Sequence, residues 1–224
     1  MPRTQLVAPL MAPGPYDPNA ARFEAKALLE GLWAGGDPWS LDTSPLDQER
    51  YARQAALLAD RRYGRALELG CGGGSFTERL VPLVDAVVAV DVAEAAVERA
   101  RQRLAGSGVT LRSLDVMDLD PAEGGPWDLV VLAETIYYLG WLHPMFDVAW
   151  LVHALHEATS PGGRLLLSDT ISGDDGLMSS WLIRTYHDLA GNVGYELEQR
   201  SVLEGSKEGV RFEILIDLFR KAGP

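Results

Sequence analysis

The residues with the clearest chemical potential are glycines that follow a short apolar run. Residues 65–74 read Arg-Ala-Leu-Glu-Leu-Gly-Cys-Gly-Gly-Gly and contain the pattern acid-x-Gly-x-Gly-x-Gly, formed by Glu68, Gly70, Gly72 and Gly74. Glycines at this spacing permit a sharp exit from a strand, a close approach of backbone amides to a ligand and tight packing of the next helix. Ser75 stands where the dehydrogenase pattern Gly-x-Gly-x-x-Gly requires its third glycine. The turn therefore favours a nucleoside ligand without a pyrophosphate.

Two further carboxylates are expected at the ends of the next two strands. Residues 85–91 (DAVVAVD) form an apolar run that ends in Asp91, about 20 residues after the glycines, where an acid accepts hydrogen bonds from both ribose hydroxyls. That spacing also fits NAD. The strand expected over residues 109–114 is followed by Asp115, which is placed to accept a hydrogen bond from the exocyclic amine of adenine. The residues that directly follow Gly70, Asp91 and Asp115 are also expected to contact the cofactor. They are Cys71, Val92 and Val116.

This combination resembles the class I methyltransferases that depend on S-adenosylmethionine (SAM). The resemblance continues through residues 127–131 as a fourth strand and residues 161–164 before a fifth, and it covers roughly residues 45–170. It implies that the cofactor is SAM, that the product is S-adenosylhomocysteine (SAH), and that no metal is needed. It also implies cofactor contacts from Glu68, Gly70, Gly72, Asp91, Asp115, Glu134 and Trp39.

A second resemblance concerns the acceptor. Residues 37–45 (DPWSLDTSP), together with residues 134–139 (ETIYYL), are similar to the nodulation-type (NodS) N-methyltransferases, which methylate the free amine of a sugar unit. Those proteins carry an acid, two apolar or small residues and then Tyr-Tyr-Leu after the fourth strand, and the same order stands here. The resemblance implies N-methylation of a small polar acceptor, an amine on a sugar or aminosugar-containing natural product. It does not extend beyond about residue 170.

Methyl transfer from a sulfonium is an in-line displacement that needs little acid catalysis, so positioning can supply about 7–11 kcal/mol of the barrier reduction. An amine must first lose its proton. Because ligands of an α/β sheet bind at the carboxyl ends of the strands, we expect Glu134 to orient the amine and Asp169 or His143 to take up the proton. The side chains expected to contact the substrate are Tyr137, Tyr138, Trp181 and His187.

Other functions remain open on the residues alone. An O-methyltransferase acting on a hydroxyl or carboxyl group would use the same cofactor site. An NAD-dependent oxidoreductase would bind ribose through Asp91, but it would require the third glycine of the pattern Gly-x-Gly-x-x-Gly. A cofactor-binding regulatory domain could keep the fold without catalysis, although the intact glycines and acids argue against it.

Composition limits the other classes of function. With 224 residues, 47% of them hydrophobic, the chain suits one domain, expected at 45–224, preceded by a tail and lid at 1–44. A net charge of −12 disfavours nucleic acid and anionic membranes as partners. The single cysteine excludes an intramolecular disulfide and a Cys-based zinc site, and no signal or spanning segment is apparent. We therefore expect a cytoplasmic protein, either a monomer or a dimer, with a small-molecule acceptor.

The elements that must position these residues alternate along the chain. The predicted fold is α/β, a Rossmann-like, doubly wound, mostly parallel sheet of seven strands with an antiparallel C-terminal edge strand. Strands are expected near 65–69, 85–91, 109–114, 127–133 and 163–169, and a hairpin near 195–203 and 211–221. Helices are expected near 21–32, 44–60, 75–83, 93–105 and 144–159, and another is expected to begin near Leu177.

Overall fold

The fold is built on one sheet of seven strands. The computed structural model describes residues 18–172 and 180–223. The strands are β1 (Tyr63–Leu69), β2 (Val84–Asp91), β3 (Thr110–Ser113), β4 (Trp127–Ala133), β5 (Thr159–Ser172), β6 (Tyr195–Lys207) and β7 (Val210–Lys221). They lie in the order β3-β2-β1-β4-β5-β7-β6.

The helices cover both faces of this sheet. They are α1 (Pro18–Ala34), α2 (Pro45–Leu58), α3 (Thr77–Leu80), α4 (Glu94–Arg103), α5 (Ile136–Leu142), α6 (Met145–Ala158) and α7 (Ser180–Val193), with a 3-10 turn at Val116–Asp118. The start of α2 shows how sequence sets a boundary: the Ser44 hydroxyl accepts a hydrogen bond from the amide of Asp47, and a proline occupies the first turn.

The strand directions confirm the predicted fold class. Strands β1 to β5 pair in parallel. The C-terminal hairpin closes the sheet, because β7 pairs antiparallel with β5 and β6 pairs antiparallel with β7. The strand order reverses between β1 and β4, and in an open α/β sheet ligands bind at that switch point, beyond the carboxyl ends of the strands.

Alternation along the central strands creates two apolar cores. In β4, Val130 and Leu132 pack into the core on one face, with side chains from α6 and α7, while Leu129 and Val131 pack into the core on the other face, with side chains from α2. A strand buried on both faces reads as a continuous apolar run, which is why residues 127–133 were recognisable from sequence. The two packed faces hold the strand ends rigid.

Several element boundaries differ from the prediction. The helix expected near 75–83 is only the single turn of α3, and β5 begins earlier and ends later than 163–169. Its pairing with β4 becomes continuous only from Arg164, after an irregularity in register. The helix start expected near Leu177 lies outside the described residues. The turn α5 was not predicted as a separate helix, because its seven residues are too few for a clear periodicity.

No helix within residues 18–172 and 180–223 combines the length and hydrophobicity needed to cross a bilayer. In the same part of the chain, no group of three or more His, Cys, Asp or Glu side chains is arranged to hold a metal ion.

Candidate active site

A pocket opens at the carboxyl ends of the parallel strands, with α1 and the segment after it lying over it. One side is lined by the ends of β1, β2 and β3, and the other by the end of β4 and by α5. The predicted site residues that line this pocket are Trp39, Glu68, Gly70, Cys71, Gly72, Asp91, Val92, Asp115, Val116, Glu134, Tyr137, Tyr138 and His143. Because the sequence predicts cofactor contacts on the first side and acceptor contacts on the second, we call them the cofactor wall and the acceptor wall.

The glycine turn of the cofactor wall depends on backbone conformations that favour glycine. Gly70 has a φ of 77° and Gly72 a φ of 52°. A Cβ atom on Gly72 would lie 2.8 Å from the ring of Trp33, so the turn also needs an absent side chain for its close contact with α1. The turn is pinned by Asp91, whose carboxylate accepts hydrogen bonds from the amides of Gly72 (2.9 Å) and Ala93 (3.0 Å).

Two titratable groups of the cofactor wall are strongly affected by burial. Glu68 is 2% exposed, and burial raises its pKa to about 8, with nearby Asp91 adding to the shift. Its Oε2 atom has no hydrogen-bond partner among the described residues. Burial also raises the pKa of the Cys71 thiol, which keeps it protonated and makes it a poor nucleophile.

The third acid, Asp115, is engaged by the N-terminal helix. Arg22 of α1 donates to its Oδ2 atom through Nε (3.2 Å) and Nη2 (2.8 Å), and Nη2 also donates to Asp118 (3.0 Å). The other oxygen of Asp115 accepts from the amide of Met117. Each carboxylate oxygen has two lone pairs, so Asp115 can still accept a hydrogen bond from a ligand.

Further contacts hold α1 and the segment after it over the pocket. The Glu30 carboxylate accepts from the amide of Ala95 at the start of α4 (3.2 Å). Trp33 and Trp39 meet edge to face, with ring centroids 5.5 Å apart. The indole Nε1 of Trp39 is buried and has no hydrogen-bond partner among the described residues. A buried donor in a ligand pocket is costly unless a ligand accepts from it.

The acceptor wall is centred on Glu134, at the end of β4. Its backbone has a φ of 57°, a left-handed conformation that is strained for a non-glycine residue. Its carboxylate forms an ion pair with Arg50 of α2 (2.9 Å) and accepts hydrogen bonds from the hydroxyls of Tyr137 (2.9 Å) and Thr170 (2.9 and 3.0 Å). Such a carboxylate is fixed in place and is suited to orienting a ligand.

The ion pair of Glu134 is part of a larger buried group of charges. Arg50 is 2% exposed and also donates to Asp47 (2.9 Å), which in turn contacts the Lys207 ammonium. Glu134 and Asp47 offset the charges of Arg50 and Lys207, which lowers the cost of burying them.

Three other predicted residues complete the acceptor wall. The rings of Tyr137 and Tyr138 pack together, with centroids 4.6 Å apart, and both line the pocket. His143 lies just after α5 and is partly buried, and this burial lowers the pKa of its imidazole. The imidazole is therefore neutral at pH 7, which is the form that can accept a proton.

The structure does not support the predicted roles of Asp169, His187 and Trp181. Asp169 and His187 have no exposed surface and do not line the pocket, so neither side chain can touch a bound acceptor. Trp181 is 71% exposed and also lies outside the pocket lining. The polar atoms of the first two residues are instead engaged with each other, His187 Nε2 lying 3.1 Å from Oδ2 of Asp169.

Other lining residues were not anticipated from sequence. Among them are Arg22, Trp33, Arg50 and Tyr51. All four come from α1 and α2, which precede the glycine turn in the chain. Only the folded helices bring them to the pocket, and no spacing pattern marks them in the sequence.

The chain is similar to known proteins over most of the region that builds the pocket. The sequence profile of the family described as Nodulation protein S (NodS) matches residues 21–160. The Nodulation protein S of Bradyrhizobium diazoefficiens is 42% identical over 120 residues, which make up 52% of this chain and 56% of that protein. That of Sinorhizobium fredii is 32% identical over 166 residues, 72% of this chain and 73% of that protein. This chain thus spans little more than half the length of the Bradyrhizobium relative.

A solved structure shows the same architecture. The crystal structure of the N-methyltransferase NodS from Bradyrhizobium japonicum in complex with SAH has a TM-score of 0.74 against this chain. The two sequences are 26% identical, and the alignment covers 88% of this chain and 97% of that one.

Proposed function

This chain belongs to the Nodulation protein S family, and we propose that it transfers the methyl group of SAM to the nitrogen of a small polar amine. The observation that supports this most strongly is that one pocket is lined both by the glycine turn and by three acids. These acids, Glu68, Asp91 and Asp115, lie at or just after the ends of three consecutive strands. The acceptor we propose is an amine of a sugar or of an aminosugar-containing natural product.

The residues of the cofactor wall fit SAM. Gly70 and Gly72 let the turn pack closely against Thr135 and Trp33 at the edge of the pocket, and the buried Trp39 Nε1 has no hydrogen-bond partner among the described residues and is available to a ligand. In the proposed complex, Asp91 accepts from the ribose hydroxyls and Asp115 accepts from the adenine amine. SAM would supply an electrophilic methyl group on a positively charged sulfur, which makes metal assistance unnecessary.

On the acceptor wall, the first task is to hold the amine in line with the methyl group. We assign this to Glu134, because the contacts of its carboxylate with Arg50, Tyr137 and Thr170 fix its position. Such orientation can contribute much of the rate enhancement. The faces of Tyr137 and Tyr138 would form the wall against the acceptor.

The second task is to remove the proton that an amine carries at pH 7. We assign it to His143, acting directly or through one water, because its neutral imidazole lies in the pocket lining. Glu134 is less suited to this task, since its carboxylate is already held in an ion pair with the Arg50 guanidinium.

We also propose that residues 18–44 serve as a lid over the cofactor. The contacts of Arg22 with Asp115 and of Trp33 with the glycine turn support this, because both lie where a cofactor would have to enter. Opening them would break two salt bridges at the pocket rim and expose two tryptophan rings.

A binding experiment tests the choice of cofactor. Calorimetric titration with SAH and, separately, with NADH should give saturable binding of SAH and none of NADH. Binding of NADH alone would point to the oxidoreductase reading. Failure to bind either ligand would contradict the proposed function, and a melting curve of the same sample establishes that the protein was folded.

A further inference from the structure

Three side chains without exposed surface form a hydrogen-bonded chain beneath the pocket. His187 of α7 lies between two aspartates: its Nδ1 is 2.9 Å from Oδ2 of Asp217 on β7, and its Nε2 is 3.1 Å from Oδ2 of Asp169 on β5. All three side chains are 0% exposed. The chain joins a helix to the two neighbouring strands at the centre of the C-terminal half of the sheet.

The charges along this hydrogen-bonded chain are balanced, which lets its three side chains stay buried. Arg200 donates to both oxygens of Asp217, at 2.8 and 2.7 Å. Burial alone lowers the pKa of His187, but the hydrogen bonds to Asp169 and Asp217 outweigh this and leave the pKa raised. The other charged groups nearby are Asp188, 3.6 Å from Arg200, and Glu134, which acts on Asp169 through space. An imidazolium that donates from both nitrogens satisfies both aspartates.

The Asp169 end of the hydrogen-bonded chain reaches the pocket through one backbone amide. Oδ1 of Asp169 accepts a hydrogen bond from the amide of Thr135 (3.1 Å). The hydroxyl of Thr135 lies 3.1 Å from the carbonyl oxygens of both Leu69 and Ala133 and can donate its hydrogen to either. A Cβ atom on Gly70 would lie only 2.2 Å from that hydroxyl. Thr135 therefore fills the space beside the first glycine of the cofactor turn.

Thr135 also directly follows Glu134, the residue with the strained backbone. A left-handed non-glycine conformation persists only where surrounding contacts impose it. The amide of Glu134 donates to the carbonyl of Ser168, and the next amide donates to Asp169. Two consecutive amides are thus held by the end of β5, and this fixes the direction of the Glu134 side chain.

We propose that His187 is a positioning residue for both walls of the pocket. By holding Asp169 from below, it keeps Thr135 against the glycine turn and Glu134 directed at the acceptor. His187 touches no ligand in this role. The inference rests on the proposed function only in taking the pocket as the site of SAM and the acceptor, since the hydrogen-bonded chain itself is independent of what binds there.

Two substitutions of the same residue separate the two hydrogen bonds. In H187Q the side-chain amide nitrogen comes close to the position of Nε2 and can keep the bond to Asp169. In H187N it comes close to the position of Nδ1 and can keep only the bond to Asp217. A general loss of packing or stability would affect both variants alike, whereas the positioning role depends on Asp169.

H187N and H187Q should differ in their affinity for SAH and in the hydrogen-exchange rate of the Thr135 amide. Loss of a hydrogen bond to a charged group should lower SAH affinity by about tenfold in H187N, measured by calorimetry. Exchange of the Thr135 amide hydrogen should become faster by a similar factor in that variant. In H187Q, SAH affinity should stay within about threefold of the wild type, which is below 1 kcal/mol.

Y195F is the matched control. Tyr195 is also buried, and its hydroxyl forms a hydrogen bond with that of Thr159 (2.7 Å), which does not line the pocket. The Y195F substitution should lower the melting temperature without changing SAH affinity or the exchange rate of the Thr135 amide. Equal losses of SAH affinity in H187N and H187Q, or a Thr135 amide as protected in H187N as in the wild type, would overturn the proposal.

A measurement on the wild type covers the case in which H187N does not fold. The two ring N–H protons of His187 should be visible by NMR, since the ring is fully buried, and SAH should shift the Nε2–H signal more than the Nδ1–H signal. The indole N–H of Trp127, buried and bonded to Pro121, serves as the internal reference. An Nε2–H signal unmoved by saturating SAH would contradict the positioning role. If the wild type does not bind SAH at all, the proposed function fails, and Thr135 exchange alone then decides on the positioning role.

Discussion

The two walls of the pocket are built in different ways from the same sheet. The cofactor wall uses backbone amides and acids within a short stretch of chain, from Glu68 to Val116. The acceptor wall uses side chains that meet only in the folded protein, since Arg50, Glu134 and Thr170 come from three distant elements. In the proposed function, cofactor recognition is therefore local in sequence, while acceptor recognition depends on tertiary packing.

The walls also differ in how they treat a buried carboxylic acid. Glu68 on the cofactor wall has no cation beside it within residues 18–172 and 180–223, and its pKa is raised to about 8, mainly by burial. Glu134 on the acceptor wall is paired with the Arg50 guanidinium and held by two hydroxyls. Burial therefore favours the neutral form of the first acid, while the second is held beside a cation. If this difference is functional, substitutions on the two walls should have separable effects.

The largest effect is expected from Asp91→Ala on the cofactor wall. The change removes the charged acceptor proposed for both ribose hydroxyls and releases the amides of Gly72 and Ala93. SAH affinity should fall by about a hundredfold or more, measured by calorimetry. Asp85→Ala, at an exposed position of the same strand, is the control and should leave affinity unchanged. Wild-type SAH affinity in Asp91→Ala would remove this residue from the site.

The next effect is expected from His143→Gln on the acceptor wall. Loss of a general base should reduce turnover of an amine at pH 7 by about a hundredfold, with SAH affinity unchanged. Activity should recover at higher pH, because the amine then loses its proton to solvent. His153→Gln, on the exposed side of α6, is the matched control. A uniform loss across pH would argue against proton transfer by His143.

A smaller loss is expected from Glu134→Gln, which keeps the shape and removes the charge. Turnover should fall by about tenfold, as for a lost charged hydrogen bond, while SAH affinity changes little. Because the change leaves Arg50 with a buried charge less well paired, the melting temperature should also fall. Glu123→Gln, at an exposed site, is the control. Full activity in Glu134→Gln would show that this carboxylate does not orient the acceptor.

The cofactor wall is easier to predict from sequence than the acceptor wall, because its residues lie close together along the chain. The sequence predicts a shared site for Gly70, Gly72, Asp91 and Asp115 because their spacing marks the ends of successive strands, and the structure brings them to one pocket. The contacts of Arg50 and Arg22 could not be predicted, since a helical arginine shows no local sign of the carboxylate it will meet. The sequence predicts His187 as a substrate contact, because it does not show that both ring nitrogens bind buried aspartates.

The raised pKa of Glu68 predicts a dependence of stability on pH. Its carboxyl ionises near its ordinary pKa of 4.5 when unfolded but only near 8 when folded. The unfolded state therefore releases its proton first, and this residue costs stability progressively as pH rises from 4.5 to about 8. Relative to the wild type, Glu68→Gln should gain unfolding free energy over that range in urea titrations. A difference that does not vary with pH would contradict the raised pKa.

The smallest expected change concerns the lid. If residues 18–44 close over the cofactor, saturating SAH should slow amide hydrogen exchange in α1, through added contacts on Trp33 and Trp39. Exchange in α6, which lies away from the cofactor wall, is the internal comparison. Equal protection of α1 with and without SAH would leave this segment as a fixed part of the fold.

The most direct test of the central claim is the identity of the methylated atom. SAM carrying a ¹³C-methyl group is incubated with the protein and glucosamine or a short glucosamine oligosaccharide, and the product is examined by NMR. N-acetylglucosamine, whose nitrogen is blocked but whose hydroxyls are intact, is the matched control. We predict that the label appears on nitrogen and that the control is not methylated. Label on oxygen, or equal methylation of the control, would contradict an N-methyltransferase.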